Sequence, residues 1–187
     1  MSKTNQNSLT KYYSGKFGKD FVLRNKNGMS TLAKLPKPTS VPPSVKQTDV
    51  RAIFRLAVNF AKRSVADPVL SAYYLSNPGK GNSVYRLALM DYLKPPVIEK
   101  IKTDAYTGVI GGKITIIAVD DFQVVNVNVS IKAANGTLIE EGPCVADATD
   151  TVWNYTTTVV VPDTTGMIIT AEAFDKPGGS GKNSITL

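Results

Sequence analysis

Two stretches place a lysine behind glycines, an arrangement by which backbone amides can cradle phosphate. Gly178-Gly179-Ser180-Gly181-Lys182-Asn183-Ser184 has Lys176 where the motif needs its leading glycine and Asn183 where it needs Ser or Thr. It reads as a flexible loop before a last strand. Asn77-Pro78-Gly79-Lys80-Gly81-Asn82 reads as a turn between helices. Asp120, Asp121, Glu140, Glu141, Asp147, Asp150 and Asp175 could converge at one end of a β-domain. Calcium takes about six to eight oxygens, and paired carboxylates also serve glycosidases. No EF-hand spacing and no aromatic-lined cleft accompany these residues, so solvated loop charge is their expected role. Neither a metal nor a cofactor is expected.

Other chemistry is narrowed by composition. The chain has no histidine and one cysteine, which excludes Ser-His-Asp and Cys-His nucleophiles, His-containing zinc sites and an internal disulfide framework. Cys144 has no basic neighbour to lower its pKa and reads as an inert thiol. Trp153 and Tyr155 could stack on a ligand, but a strand of period two assigns them to core packing. The sequons at Asn128, Asn135 and Asn154 read as ordinary strand and turn polarity, and no catalytic residue is expected.

Binding chemistry is better represented. Lys11, Lys16, Lys19, Arg24, Lys26, Lys34, Lys37, Lys46, Arg51, Arg55, Lys62 and Arg63 are interleaved with Tyr12, Tyr13, Phe17 and Phe21. Such a mixture suits nucleic-acid backbone or an acidic protein surface. Residues 1–102 hold 18 Lys+Arg and 5 Asp+Glu, a charge of +13; residues 103–187 hold 4 and 10, a charge of −6. This asymmetry favours protein docking, including docking onto the acidic half of another copy. Tyr12, Phe17, Phe21, Arg24, Arg51 and Arg55 are the expected partner contacts.

The elements that must position these residues follow from periodicity. Phe21-Val22-Leu23-Arg24 and Ser30-Thr31-Leu32-Ala33 flank Asn25-Lys26-Asn27-Gly28, which predicts a β-hairpin after a bend at Gly15 and Gly18. Four prolines in residues 35–43 predict an extended arm. A helix is predicted from Thr48 as N-cap, with Val50, Ile53, Phe54, Ala57, Phe60, Ala61 and Val65 on one apolar face and Arg51, Arg55 and Lys62 on another stripe. Asp67-Pro68 predicts a second helix ended by Asn77-Pro78-Gly79, and Ser83 caps a third, Val84 to Leu93. Pro95-Pro96 then forms a stiff connector. Beyond it, strands are predicted at 98–104, 113–119, 124–132, 137–141, 152–161, 167–174 and 182–187. The fold class is α+β: a module of hairpin and three helices over residues 1–96, then an antiparallel sandwich over 97–187.

Ile114 to Val119 with Asp120-Asp121, the valine strand, Trp153-Asn154-Tyr155 and Ile169-Thr170-Ala171-Glu172-Ala173-Phe174-Asp175 resemble a bacterial immunoglobulin-like domain. Such domains often carry Ala-x-Asp-x-x-Gly-Asn near the last strand; here Gly181-Lys182-Asn183 replaces the Gly-Asn pair. The resemblance implies a spacer, adhesive or assembly module without catalytic residues. Ser14-Gly15-Lys16-Phe17-Gly18 through the hairpin, with Gln47 and Arg51, is similar to uncharacterised proteins of bacterial and prophage genomes.

The expected function is a non-enzymatic structural subunit of a phage virion or protein filament. It would assemble through its basic N-terminal module and extended arm with itself, head to tail being one possible order, or with other structural proteins of a particle. The alternatives are a nucleic-acid binder using the basic half and a glycan-binding surface adhesin. Met1 to Thr10 has no signal-peptide h-region, so synthesis in the cytoplasm and release in a virion or other extracellular assembly are expected, without membrane insertion.

Overall fold

A computed structural model describes residues 2–4, 13–26, 29–37, 40–76 and 83–187. These residues form three helices and three four-stranded antiparallel sheets, a mixed α+β architecture rich in sheet. The chain divides into two compact units, residues 1–45 and 46–187, and the Pro95-Pro96 connector lies inside the second.

The first unit contains β1 (Ser2–Thr4), β2 (Gly15–Phe17), β3 (Phe21–Lys26) and β4 (Met29–Lys34), in the order β1-β4-β3-β2. The predicted hairpin is the β3–β4 pair, in register from Phe21 opposite Lys34 to Lys26 opposite Met29. Its turn residues Asn27 and Gly28 lie outside the described residues, as do Pro38 and Thr39 of the proline-rich stretch. Gly18, one of the two glycines at which a bend is expected, lies in the turn that leads β2 into β3; the other, Gly15, is itself in β2 opposite Leu23. The short strands β1 and β2, which no alternation signals, extend the hairpin on either side. The described part of the proline-rich stretch forms neither helix nor strand and is mostly exposed.

The second unit begins with α1 (Val45–Ala66), α2 (Pro68–Ser76) and α3 (Val84–Leu93). Two caps are as predicted. Asp67 Oδ1 accepts from the backbone N–H groups of Val69 (2.8 Å) and Leu70 (3.2 Å), and Ser83 Oγ accepts from that of Arg86 (3.4 Å). The start of α1 differs: it begins at Val45, three residues before the predicted Thr48 cap. Ser44 and Gln47 have the spacing of a capping box, an equally good start signal outside the apolar repeat. The expected turn at Asn77-Pro78-Gly79 lies outside the described residues.

The strands after the helices are β5 (Val97–Ala105), β6 (Lys113–Val119), β7 (Val124–Lys132), β8 (Leu138–Pro143), β9 (Val145–Ala146), β10 (Val152–Thr156), β11 (Ile168–Asp175) and β12 (Ser180–Thr186). They form two sheets, β5-β6-β10-β9 and β12-β11-β7-β8. Ile114, Ile116 and Ala118 of β6, Trp153 and Tyr155 of β10, Val127, Val129 and Ile131 of β7, and Ile169, Ala171 and Ala173 of β11 alternate inward and share one core. Period-two patterning thus places one apolar face from each sheet against the other, in a sandwich-like arrangement. β12 passes close to β5: a Cβ at Gly181 would overlap the Pro96 carbonyl oxygen, so only glycine fits there.

The strand predicted over 152–161 stops at Thr156. The Thr157 N–H still reaches its register partner, the Gly112 carbonyl (2.9 Å), but the Thr157 carbonyl accepts from the Gly111 N–H (2.8 Å) instead, and Thr157 Oγ1 donates to the Val109 carbonyl (2.9 Å), so the ladder shifts there. β9, two residues long, is too short to show a period.

Candidate functional site

The register of the first sheet separates the expected contact residues. Phe17 lies opposite Phe21, and Leu23 and Leu32 follow on the same face. Phe17 is 65% exposed and Phe21 41%. Arg24 belongs to the other face with Lys16 and Val22, because alternate residues of a strand point oppositely. Phe17 and Phe21 are therefore presented on the face opposite to Arg24, with Lys34 directly across from Phe21. Among this unit's described residues only Ser30 is buried. Tyr12 lies outside the described residues.

Arg51 and Arg55 are exposed and four residues apart on α1, with Lys62 continuing their stripe. The neighbouring apolar stripe has two fates. Ala57, Phe60 and Ala61 are buried, whereas Val50, Ile53 and Phe54, predicted on the same face, are exposed, as is Val65. Only the C-terminal half of α1 meets the other helices. Phe60 packs edge-on to Tyr74 at 6.5 Å and against Tyr92 at 5.6 Å between centroids, with the Arg63 guanidinium 5.4 Å from its ring.

Where the helices meet the sandwich, a polar cluster is enclosed. Tyr74, fully buried on α2, donates its hydroxyl to Oδ2 of buried Asp91 on α3 at 2.6 Å. Burial raises the Asp91 carboxyl to about 7; the Tyr74 hydrogen bond opposes this, and the charges of Asp120, Asp175 and Asp121 reinforce it. Burial also drives Tyr73 up to about 12, aided by Asp91, Asp120 and Asp175. Asp175 is raised by burial against the opposing hydrogen bonds of Gly179 and Gly178. One oxygen each of Asp91, Asp120 and Asp175 is buried without a hydrogen-bond partner among the described residues. Lys176 Nζ lies 5.7 Å from the Tyr73 ring centroid, and Lys94 pairs with Asp121 at the exposed rim. A cavity of about 530 Å³ opens beside the cluster, lined by Tyr73, Ser76, Asp120, Phe122, Thr149 and Asp150 among others.

Such a cluster can hold a proton near neutral pH. The acidic residues expected as solvated loop charge divide: Asp175 and Glu140 are buried, Asp120, Asp121 and Asp175 approach the junction, and Glu140 Oε2 accepts from the Thr158 N–H and hydroxyl at 3.0 and 2.9 Å. Among the described residues, no group of three or more His, Cys, Asp or Glu side chains could hold a metal ion. Sequence reasoning missed the Tyr74–Asp91 pair. Its one signal is an aspartate inside the apolar run Leu89-Met90-Asp91-Tyr92-Leu93.

The glycine-rich stretch forms the β11–β12 turn and the start of β12, so the last strand begins at Ser180, two residues before the predicted 182. Lys182 faces Glu172 across the ladder and pairs with it at 3.0 Å. Cys144 is buried, and burial pushes its thiol up to about 12; Trp153 and Tyr155 are core residues. Among the described residues, no helix is long and apolar enough to cross a membrane. No protein-family model matches the chain, and no curated protein matches it.

Proposed function

We propose that the protein is a non-enzymatic assembly subunit that contacts copies of itself, as a component of a virion or filament. The observation that carries this reading is the divided fate of α1. One apolar stripe is packed from Ala57 onward and left uncovered at Val50, Ile53 and Phe54. Uncovered apolar faces next to fixed charge are characteristic of interaction surfaces. The aromatic face of the first sheet supports the same reading, as does the charge division of +13 against −6. The C-terminal strands are read as an immunoglobulin-like spacer. Their order supports it: first, second and late-middle strands share one sheet, and the last two share the other with the third.

Light scattering of the full chain across concentration and salt tests the proposal. The expected result is a mass above the 20.1 kDa of one chain, rising with concentration and falling with added salt. A single-chain mass under every condition overturns it. A second reading, nucleic-acid binding, is favoured by the stripe of Arg51, Arg55 and Lys62. It requires low-salt retention of DNA or RNA that is lost in Arg51→Glu/Arg55→Glu.

A further inference from the structure

The second unit carries uncovered apolar surfaces at two separated places. The first is the leading half of α1, Val45–Leu56, whose every residue is exposed. Twelve helical residues span about 18 Å. The second surface lies at the end of the sandwich remote from the helices. There the loop after β5 and the loop after β10 run side by side. The Val161 N–H donates to the Gly108 carbonyl at 2.7 Å, and the Gly111 N–H to the Thr157 carbonyl at 2.8 Å. Gly108 has φ 78°, and a Cβ there would overlap the Val161 carbonyl oxygen, so the approach of the two loops depends on glycine. Their outward side chains are Val109, Ile110, Val159 and Val160, all exposed and all β-branched.

β6 runs from the loop surface to the end of the sandwich that the helices cover. It begins at Lys113, beside the Val109–Ile110 loop, and ends at Val119, close to Phe122, which packs edge-on to Tyr74 at 5.6 Å. One end of the sandwich is therefore covered by helices, and the other presents bare valine and isoleucine. The charges are of opposite sign: Val45–Leu56 holds Lys46, Arg51 and Arg55 against Asp49, a balance of +2, whereas the loop pair is flanked in sequence by Asp104, Lys113 and Asp163, a balance of −1, within the half of charge −6.

We infer that these surfaces cover each other between copies: the leading half of α1 of one chain seats on the Val109, Ile110, Val159 and Val160 patch of the next. The inference rests on the self-assembly reading and names its contact. A symmetric α1-to-α1 contact would bring the Arg51 and Arg55 stripes of two copies into one interface, where like charges repel. Pairing opposite ends avoids this. Because the two surfaces differ, the contact is heterologous and propagates head to tail, into a ring where the rotation closes and a filament where it does not.

Complementary blocking tests it on the full chain. Ile53→Glu/Phe54→Glu blocks the helix surface, and Ile110→Glu/Val160→Glu blocks the loop surface. Each variant alone is expected to have the mass of one chain. Their equimolar mixture is expected to give a species of two chains and nothing larger, because one live surface remains on each. Val50→Glu and Val109→Glu repeat the test with single changes at exposed positions. Loop-surface variants that assemble like wild type overturn the pairing, as does a mixture that restores nothing. A helix-surface variant that melts earlier without a change of mass overturns it too, since α1 is then covered within its own chain. Failure of these kinds leaves an assembling wild type and the broader reading intact; a wild type that never assembles overturns both.

Discussion

The sandwich and the helical layer bury side chains of different kinds. The sandwich core is built from Ile, Val, Ala, Met, Cys and aromatic side chains of both sheets and is closed by its own chain. The helical core is smaller: Phe60, Ala61, Tyr74, Leu87 and Ala88, with the Asp91 carboxyl buried among them. Burying a carboxyl costs free energy unless it is neutralised or fully hydrogen-bonded, and one Asp91 oxygen has no partner among the described residues. The helical layer also leaves half of α1 unpacked. The sandwich thus fills its core with apolar side chains of its own two sheets, while the helical layer buries a titrating carboxyl and leaves the leading half of α1 exposed.

The strongest way to break this contrast is to cut a cavity in each core. Ile116 is fully buried on β6, between β5 and β10. Ile116→Ala is expected to cost about 4 kcal/mol and to weaken the whole second unit. Leu87→Ala removes a buried side chain from α3, where the smaller core relaxes more readily, and is expected to cost about 2–3 kcal/mol. Urea denaturation measures both losses. Hydrogen exchange separates them: Leu87→Ala should speed exchange in α2 and α3 while β6, β7 and β11 stay protected. Equal acceleration in both layers would show that they unfold as one.

The contrast sharpens with pH. The Asp91 carboxyl is raised from 3.8 to about 7 in the folded chain. Between those values the folded state binds a proton that the unfolded state has released, so stability falls as pH rises. The contribution is fully present below pH 3.8, is lost by about pH 7 and is flat above it. A shift of this size corresponds to roughly 4 kcal/mol. Asp175, also raised by burial, acts in the same direction. Asp91→Asn keeps an oxygen to accept from Tyr74 and removes the titration. Its stability should fall less over this range than that of wild type, the remaining slope belonging to Asp175, and should exceed that of wild type at neutral pH. Melting curves from pH 4 to 8 check this; a variant that follows the wild-type slope would place the titration elsewhere.

The same contrast governs what could be read from the sequence. Strands such as Val124–Lys132 were legible because a sheet with one buried face alternates with period two, and the caps Asp67 and Ser83 were legible because capping is local. The apolar stripe of α1 was legible as a stripe, but its covering was not. Nothing between Val50 and Phe60 records that the other helices reach only the C-terminal half. The separation of Phe17 and Phe21 from Arg24 follows from alternation once the register is known. Tyr74 and Asp91 stand seventeen residues apart on different helices, where no spacing rule links them, so the junction required the tertiary structure.

The smallest effect isolates the helical layer from everything else. Asp67 Oδ1 accepts two N–H groups at the start of α2, and the helix carrying Tyr73 and Tyr74 depends on that first turn. Asp67→Ala leaves both N–H groups to solvent and is expected to cost about 1 kcal/mol. Ser83 makes one longer bond at the start of α3, so Ser83→Ala should cost less. Neither residue touches the sandwich core, so their losses should be confined to exchange of helical amides, with the sandwich strands unchanged. If Asp67→Ala also opened β6 and β10, the division into a closed sandwich and an adjustable helical layer would fail at its boundary, because a local cap would then be supporting the larger core.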